Sequence, residues 1–526
     1  MAASKGISNS QGQIAGGVAV SWVAQIILIA AGFIIPRWID HGLGRATLGI
    51  WDLAWSLVSY LTLLEAGIGS SVNRHVALYL VEGDIKSVNQ VVSSVAIVQR
   101  VVAIVVLALT GGIVLALPYY LHAQPAALIT DAKWVVLLLG CSVAFSFSGA
   151  IYTGVLTGCH RWAAHHTVYA FTNLFNAIGM CWVLKAGFGI VALAAVHLVG
   201  EVLGRIVRAV IAYRACPGLS IRLTNVSRTT MRKMLGFGSR MFMGQVSGVL
   251  MIQTVSVLIA GHFGPAVLAL FTRPRSLIRQ AAVFPQKYAF MLAPAAAARS
   301  AEGNSITLQR FVQESTRSGI YMSLPVMIFL ALDGGPLLKL WMGSHYADES
   351  LMLLLTLGFT AEVVYQPLNN LLLGLNLHGR PGFFSILAAF CAIGFTCAAF
   401  HYGGGLNSIA LAMGVPWTLI HGIYLPIYTC RRLQIPLRSF LKEVWMGPIL
   451  CAIPFGACLL AGRLIFATQP IAALAVGGML GSITLAACYW VWVLPSQWKH
   501  KIRKMCGLQR VTNQISGMPV DGSLGR

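Results

Sequence analysis

The sequence predicts an all-α integral membrane protein with about 14 transmembrane helices, in two parallel-repeat lobes plus two C-terminal helices. Three observations predict this class. Hydrophobic residues make up 57% of the 526 residues and charged residues only 10%. Apolar stretches long enough to span roughly 30 Å of hydrocarbon recur along almost the whole chain. Similar segments also recur at a fixed shift. A mean hydropathy of +0.76 excludes an ordinary soluble domain.

The apolar stretches predict fourteen spans in chain order. The first leads into Pro36 and Arg37 rather than a small-residue cleavage site, so we interpret it as a span and not as a signal peptide. The predicted spans lie near residues 14–36, 47–71, 90–118, 132–157, 167–185, 188–212, 233–261, 265–293, 306–332, 349–376, 382–402, 405–429, 443–466 and 470–494.

An internal repeat appears when the chain is shifted by 220 positions without gaps. Gly44–Leu48 then aligns with Gly264–Leu268, and Glu82–Asp84 aligns with Glu302–Asn304. Because six spans separate equivalent points, the two halves have the same orientation, and their pseudo-two-fold axis runs along the membrane normal. The predicted organisation is an N-terminal lobe (1–213), a cytoplasmic linker (214–232), a C-terminal lobe (233–430), two extra helices (431–498) and a basic, disordered cytoplasmic tail (499–526).

The distribution of lysine and arginine predicts the orientation. Most of these residues in the connections, among them Arg161, Arg222 and Arg432, fall on one side of the predicted membrane. The positive-inside rule makes that side cytoplasmic, and an even number of spans then places both termini there. The net charge of +22 is therefore interpreted as a topology signal and not as a sign of nucleic-acid binding.

Short motifs resemble those of a known family. Gly67-Ile-Gly-Ser-Ser-Val-Asn-Arg74, followed by Glu82–Asp84, resembles the start of polysaccharide transporters, the Wzx-type flippases of the multidrug/oligosaccharidyl-lipid/polysaccharide superfamily. Gly154–Gly158 with Arg161 fits the same pattern, and the resemblance covers about residues 10–494. It implies two six-helix lobes plus two extra helices. It also implies that an undecaprenyl-diphosphate-linked oligosaccharide moves from the cytoplasmic to the periplasmic leaflet of the bacterial inner membrane.

The eighth predicted span contains four cations without a carboxylate: Arg273, Arg275, Arg279 and Lys287. A lone cation at bilayer mid-depth costs roughly 2.5 to 3.5 kcal/mol on insertion scales, so the four are expected to face protein or a water-filled cavity. Arg275 and Arg279 share one helical face, whereas Arg273 is expected to point elsewhere unless Pro274 disturbs the helix. Guanidinium groups suit phosphate, so these residues are candidate substrate contacts. Structural pairing or snorkelling is the alternative.

Other charged residues at membrane depth are also candidates. Arg100, Arg317 and Arg240 are candidate substrate contacts on other spans. The acids Glu362, Glu65 and Asp52 are candidates for ion coupling, with a hydrogen-bonded structural carboxyl as the alternative. Glu201 and Arg205, four residues apart in the favourable order, predict an intrahelical ion pair.

No enzymatic motif or metal-ligand pattern emerges from the chain. The eleven cysteines include no Cys-x-x-Cys pair, and no glycine-rich phosphate loop followed by lysine is present. We therefore expect a transporter without cofactor or metal, whose partners are a lipid-linked oligosaccharide, membrane lipids, and polysaccharide polymerase and export machinery. The alternatives are a lipid II flippase, a drug or cation exporter of the same superfamily, and a membrane glycan polymerase or ligase, which would need a long periplasmic loop.

Overall fold

The computed structural model describes residues 2–65, 68–494 and 499, and it describes the side chains of these residues except 2–19, 68–71 and 232–245. Within this part of the chain every regular element is helical, so the predicted all-α class is confirmed. The predicted cytoplasmic tail lies outside the described residues apart from Lys499.

The N-terminal helices form the first bundle, in which α1 packs on α6, and α5 packs on both α4 and α7. A 3₁₀ turn, Leu63–Glu65, follows α2, so the second predicted span extends too far. The helices of this bundle are α1 (Ala2–Leu43), α2 (Arg45–Thr62), α3 (Ile68–Val81), α4 (Ile85–Tyr120), α5 (Ala126–Gly158), α6 (Trp162–Lys185) and α7 (Ile190–Ala215).

The following helices form the second bundle, and the last two pack beside it. A π-helical turn, Leu419–Tyr424, joins α16 to α17, and α18 packs against α12 and α19. The helices are α8 (Arg228–Phe263), α9 (Pro265–Ala281), α10 (Val283–Phe290), α11 (Leu292–Ala301), α12 (Ser305–Met342), α13 (Glu349–Val364), α14 (Gln366–Gly374), α15 (Gly379–His401), α16 (Leu406–Thr418), α17 (Leu425–Leu433), α18 (Leu437–Ile465) and α19 (Pro470–Cys488).

Thirteen helical segments in the described part of the chain are long and apolar enough to cross a membrane, and each corresponds to a predicted span. The remaining predicted span, 265–293, is helical but interrupted. Its helices α9, α10 and α11 are separated by single residues, Ala282 and Met291. This region carries the four cations, and it is not among the thirteen segments.

The internal repeat is visible in the backbone. Gly44 and Gly264 both have φ of +89°, which favours glycine, and each precedes a helix. Asp84 caps α4 by accepting a hydrogen bond from the Ser87 amide, and its equivalent Asn304 caps α12 by accepting one from the Thr307 amide. Helices α4 and α12 therefore begin 220 residues apart, as the aligned sequences predicted.

The alternating helices place the connections at two ends of the molecule. One end, called the basic end, carries residues 82–84, 159–161, 216–227, 302–304, 375–378 and 434–436. The other, called the opposite end, carries Gly44, 121–125, 186–189, Gly264, 343–348, 402–405 and 466–469. Every connection at the opposite end is short, the longest being 343–348.

Helices α2 and α9 form a close contact between the two bundles. Leu48 and Ile50 of α2 and Phe271 of α9 are fully buried in one shared apolar core. A Cβ added to Gly49 would lie 1.8 Å from the Pro265 carbonyl oxygen, so the two helix backbones touch where glycine leaves room. Thus the charged residues of α9 lie beside the junction of the bundles.

Candidate functional site

Helix α9 positions three arginines at different depths along this junction. It starts at the opposite end with Pro265, a residue suited to the first helical position because its missing N–H has no intrahelical partner there. With a rise of 1.5 Å per residue, Arg273 lies roughly 12 Å from the start of the helix, and Arg279 roughly 21 Å. Pro274 does not end the helix, which continues to Ala281. Arg273 is therefore nearer to the opposite end than Arg279 is, and Arg275 lies between them.

Arg273 forms an ion pair between the bundles. Its Nη2 donates to both carboxylate oxygens of Asp52 on α2, and Thr272 Oγ1 donates to the same carboxylate. The side chains are 6% and 12% exposed for arginine and aspartate. Thr272 is the counterpart of Asp52 in the 220-residue repeat, so the pair lies where equivalent positions of the two halves meet.

Arg275 and Arg279 continue the group of cations toward the basic end. Arg275 Nη1 donates to Ser256 Oγ (3.0 Å) and to the Ile252 carbonyl oxygen (3.3 Å), both on α8. Arg279 is exposed. Both guanidinium groups interact electrostatically with Arg273 and Asp52.

We call Asp52, Arg273, Arg275 and Arg279 the cationic cluster. Three positive charges and one negative charge leave it with a formal charge of +2. Because the two charges in excess lie in a membrane-spanning region at the contact between bundles, an anion bound there would be stabilised.

The other predicted cations lie apart from this cluster. Lys287 on α10 is 4.5 Å from the ring centroid of Trp22 on α1, and its Nζ is 3.4 Å from the Ser21 carbonyl oxygen. Arg317 on α12 is 4.0 Å from Glu443 of α18. Arg240 belongs to α8, but its side chain lies outside the described residues.

Arg100 lies on a different kind of surface. It is exposed on α4. Ile104 and Leu107, one and two turns further on, are 66% and 43% exposed. An exposed apolar stripe on a membrane helix is typical of a surface that faces lipid, so Arg100 is not brought to the cationic cluster.

The candidate acids occupy three separate environments. Asp52 is the partner of Arg273, and Glu65 lies half-buried in the 3₁₀ turn after α2. Glu362 on α13 accepts a hydrogen bond of 2.7 Å from Trp417 Nε1 on α16. The ring centroids of His421 and Trp417 are 4.6 Å apart. Glu362, Trp417 and His421 therefore form a cluster of polar side chains inside the second bundle.

One sequence-based pairing was wrong. Glu201 does not pair with Arg205 but with Arg208, at 3.5 Å. The guanidinium of Arg205 lies 5.6 Å from the Phe145 ring centroid, and its stem packs over Gly149. Packing against α5 therefore decided the orientation of Arg205.

Sequence reasoning also missed residues that shape the cluster. Thr272 donates a hydrogen bond to Asp52, and Ser256 accepts one from Arg275. A single hydroxyl residue in an apolar helix does not by itself indicate a functional site in the sequence. For Thr272 a signal existed, because the repeat aligns it with Asp52. Trp417 carried no comparable signal.

Contacts between the bundles close the opposite end. Trp341 Nε1 donates to the Phe33 carbonyl oxygen (2.7 Å), and Arg37 Nη1 donates to the Leu340 carbonyl oxygen (3.2 Å). Tyr346 Oη donates to Asp40 Oδ1 at 2.6 Å. Together with the pair of Asp52 and Arg273, these contacts join α1 and α2 of the first bundle to α9, the end of α12 and the 343–348 connection.

The fold is shared with transporters of known structure. An inward-facing multidrug resistance MATE family transporter of the MOP superfamily has a TM-score of 0.67 at 16% identity, over 80% of this chain and 96% of that one. The lipid II flippase MurJ in an inward closed conformation has a TM-score of 0.62 at 13% identity, over 91% and 99%. A MOP superfamily transporter from Pyrococcus furiosus, described as having a binding pocket of reverse polarity, has a TM-score of 0.60 at 16% identity, over 82% and 97%.

The fold, together with the thirteen segments in the described residues that are long and apolar enough to span a membrane, defines a multi-pass membrane protein with the architecture of these transporters. A family model described as polysaccharide biosynthesis protein matches residues 134–351. The family match agrees with the resemblance of the sequence motifs to polysaccharide transporters, and the solved structures show that the fold is shared. No curated protein matches the chain.

Proposed function

We propose that this protein is a flippase that moves an undecaprenyl-diphosphate-linked oligosaccharide across the bacterial cytoplasmic membrane for surface or exopolysaccharide assembly. The observation that carries the proposal is the charge of +2 on the cationic cluster at the junction of the bundles. A diphosphate supplies the missing negative charge. The family match to polysaccharide biosynthesis proteins supports a glycan on that diphosphate.

The depth of the arginines suits a substrate with a polar head and a lipid tail. Arg275 and Arg279 lie one helical turn apart, so their guanidinium groups can contact neighbouring phosphates with charge-assisted hydrogen bonds. The polyprenyl tail remains in the bilayer while the head passes between the bundles. Only the diphosphate and the glycan then need a polar path through the protein.

Alternating access requires that the closed opposite end open. The pair of Asp52 and Arg273 must then separate along with the neighbouring contacts. A phosphate held by Arg275 and Arg279 adds negative charge that competes with Asp52 for interaction with Arg273, so in this proposal substrate binding weakens the closed state. This supplies the differential interaction that a ligand needs to shift a conformational equilibrium.

Three carboxyl groups remain the candidates for ion coupling in this proposal. Glu362 accepts a hydrogen bond from Trp417 within the second bundle, Asp52 pairs with Arg273, and Glu65 lies in the 3₁₀ turn after α2. Among them, Asp52 offers the most direct coupling because its protonation would remove the partner of Arg273.

The orientation of the protein follows from its basic end. The positive-inside rule makes the basic end cytoplasmic, with both termini on that side. The substrate is then loaded from the cytoplasmic leaflet and released to the periplasmic one, where polysaccharide polymerase and export machinery would receive it.

A lipid II flippase is the second candidate, because the fold matches the lipid II flippase MurJ over 91% of this chain. Its substrate is also a lipid-linked diphosphate and fits the same cluster. A cation exporter is disfavoured by the cluster's positive charge. A glycan polymerase or ligase is disfavoured by the short connections at the opposite end.

The proposal is tested by export of the glycan in a strain that depends on this gene. Arg275→Ala and Arg279→Ala are compared with the corresponding lysine variants, and with Arg214→Ala, which removes an exposed cation at the basic end. Each guanidinium contact to a phosphate is worth about ten- to hundredfold in affinity. We expect both alanine variants to reduce export strongly and the lysine variants to retain part of it.

Membrane abundance and folding are measured in parallel, so that loss of protein is not mistaken for loss of transport. Normal export by well-folded Arg275→Ala and Arg279→Ala proteins would show that the cluster does not bind the substrate. Flipping of lipid II, but not of oligosaccharide-linked lipid, in proteoliposomes would favour the second candidate.

A further inference from the structure

A polar cleft lies between α12 and α18, away from the cationic cluster. It has a volume of about 400 Å³, and its lining includes Arg317, Tyr321, Ser439, Lys442 and Glu443. Ser439 and Lys442 belong to the first two turns of α18, which begins at the basic end. The cleft is therefore at the depth where lipid headgroups lie.

The cleft has cations available to an anion. Arg317 and Lys442 carry two positive charges and Glu443 carries one negative charge, which leaves +1. The Arg317 and Glu443 side chains are 4.0 Å apart and 38% and 41% exposed. So long and exposed an ion pair contributes little energy. A phosphate can take the place of Glu443 beside Arg317 at little cost.

The cleft is shaped to present a hydroxyl group as well. A Cβ added to Gly447 would lie 2.2 Å from Tyr321 Oη, so glycine at this position makes room for the phenol. The Tyr321 ring packs edge-on against Tyr489, with centroids 5.4 Å apart, and Tyr489 Oη donates to the Tyr321 carbonyl oxygen. These contacts with the segment after α19 hold Tyr321 at the cleft wall.

Apolar surfaces extend from the cleft toward the middle of the membrane. On α18, Met446, Leu450 and Ile453 follow one another at helical spacing and are 51% to 62% exposed. On α12, Met322 and Val326 are 50% and 38% exposed. A small cationic cleft beside two apolar helix faces is complementary to an amphiphile, because the cations match an anionic head and the apolar faces match acyl chains.

We propose that this cleft binds an anionic phospholipid of the leaflet at the basic end. The phosphate lies between Arg317 and Lys442, the Tyr321 and Ser439 hydroxyl groups donate to headgroup oxygens, and the acyl chains cover the exposed stripes of α12 and α18. The bound lipid bridges the second bundle and the two C-terminal helices. This site does not depend on the transported substrate.

The test measures binding of phosphatidylglycerol to the purified full-length protein in detergent, by native mass spectrometry and by the rise in melting temperature. Phosphatidylcholine tests the need for negative charge, and soluble glycerol 3-phosphate tests the need for acyl chains. We expect phosphatidylglycerol to bind at least about tenfold more tightly than either compound.

Measuring phosphatidylglycerol binding to variants of the lining residues tests whether the lipid binds in the cleft. The double variant Arg317→Ala/Lys442→Ala should weaken phosphatidylglycerol binding by about tenfold or more, whereas Arg214→Ala should leave it unchanged. Glu443→Gln removes the competing carboxylate and should strengthen binding, which remains informative if the double variant folds poorly.

Two results would overturn the inference. One is equal affinity for both phospholipids, or affinity that neither Arg317→Ala/Lys442→Ala nor Glu443→Gln alters. The other is binding of glycerol 3-phosphate as tightly as phosphatidylglycerol, since the cleft would then be an anion site without a lipid component.

Discussion

The ion pair between Asp52 and Arg273 predicts how the closed end is held. We consider Asp52→Asn, which removes the carboxylate charge and keeps the side-chain shape. The Arg273 side chain is 6% exposed, so its charge would remain buried. The formal charge of the cationic cluster would rise from +2 to +3.

The magnitude follows from burial of both partners. Removing one partner of a buried ion pair costs about 3 to 5 kcal/mol. If opening of this end hydrates Arg273, that cost applies to the closed state alone. The equilibrium then shifts toward the open state by about two to three and a half orders of magnitude. A protein held closed by this pair becomes substantially open.

The assay is a distance measurement by electron paramagnetic resonance. Spin labels are placed at His41 on α1 and His345 in the 343–348 connection, both exposed on opposite sides of the closed end. Because the chain has eleven cysteines, a cysteine-free background is needed. Asp52→Asn should add a longer distance, and the exchanged pair Asp52→Arg/Arg273→Asp should partly restore the short one.

Glu82→Gln is the matched control, because it removes a carboxylate from an exposed turn at the basic end. The reasoning would be refuted if the well-folded Asp52→Asn protein kept the parent distance distribution. It would also be refuted if Glu82→Gln opened the protein to the same extent.

Two further predictions concern helix contacts. Gly49→Ala should impair export and destabilise the junction, because its Cβ would meet the Pro265 carbonyl oxygen at 1.8 Å; Gly42→Ala, with open space around its Cβ, should behave like the parent in the same export and thermal-unfolding measurements. Trp417→Phe removes the donor to Glu362. If Glu362 couples an ion to transport, this variant should change the dependence of export on proton or sodium gradients more than it changes protein abundance, and an unchanged dependence would count against Glu362.

The sequence predicted part of the cationic cluster but none of the cleft between α12 and α18. The concentration of arginines in residues 265–293 was evident, since cations are rare in apolar spans. Their partners were not, because Asp52 and Arg273 are separated by 221 positions in the chain. Arg317 illustrates the same limit: its depth was consistent with a substrate contact, but only the packing of α18 beside α12 revealed Glu443 and the lipid-facing cleft.

Membrane spans and the repeat were determined locally, by amino-acid content. Hydrocarbon requires about 20 apolar residues per helix, so composition and spacing sufficed for the all-α class and for most spans. The repeat aligned Gly44 with Gly264 in the sequence, and the structure shows that the two glycines share one turn geometry. Only the tertiary structure decided which charged side chains form ion pairs and which end of the protein is closed. Those properties depend on contacts between helices distant in the chain, and a helix pattern specifies its apolar faces without specifying its neighbour.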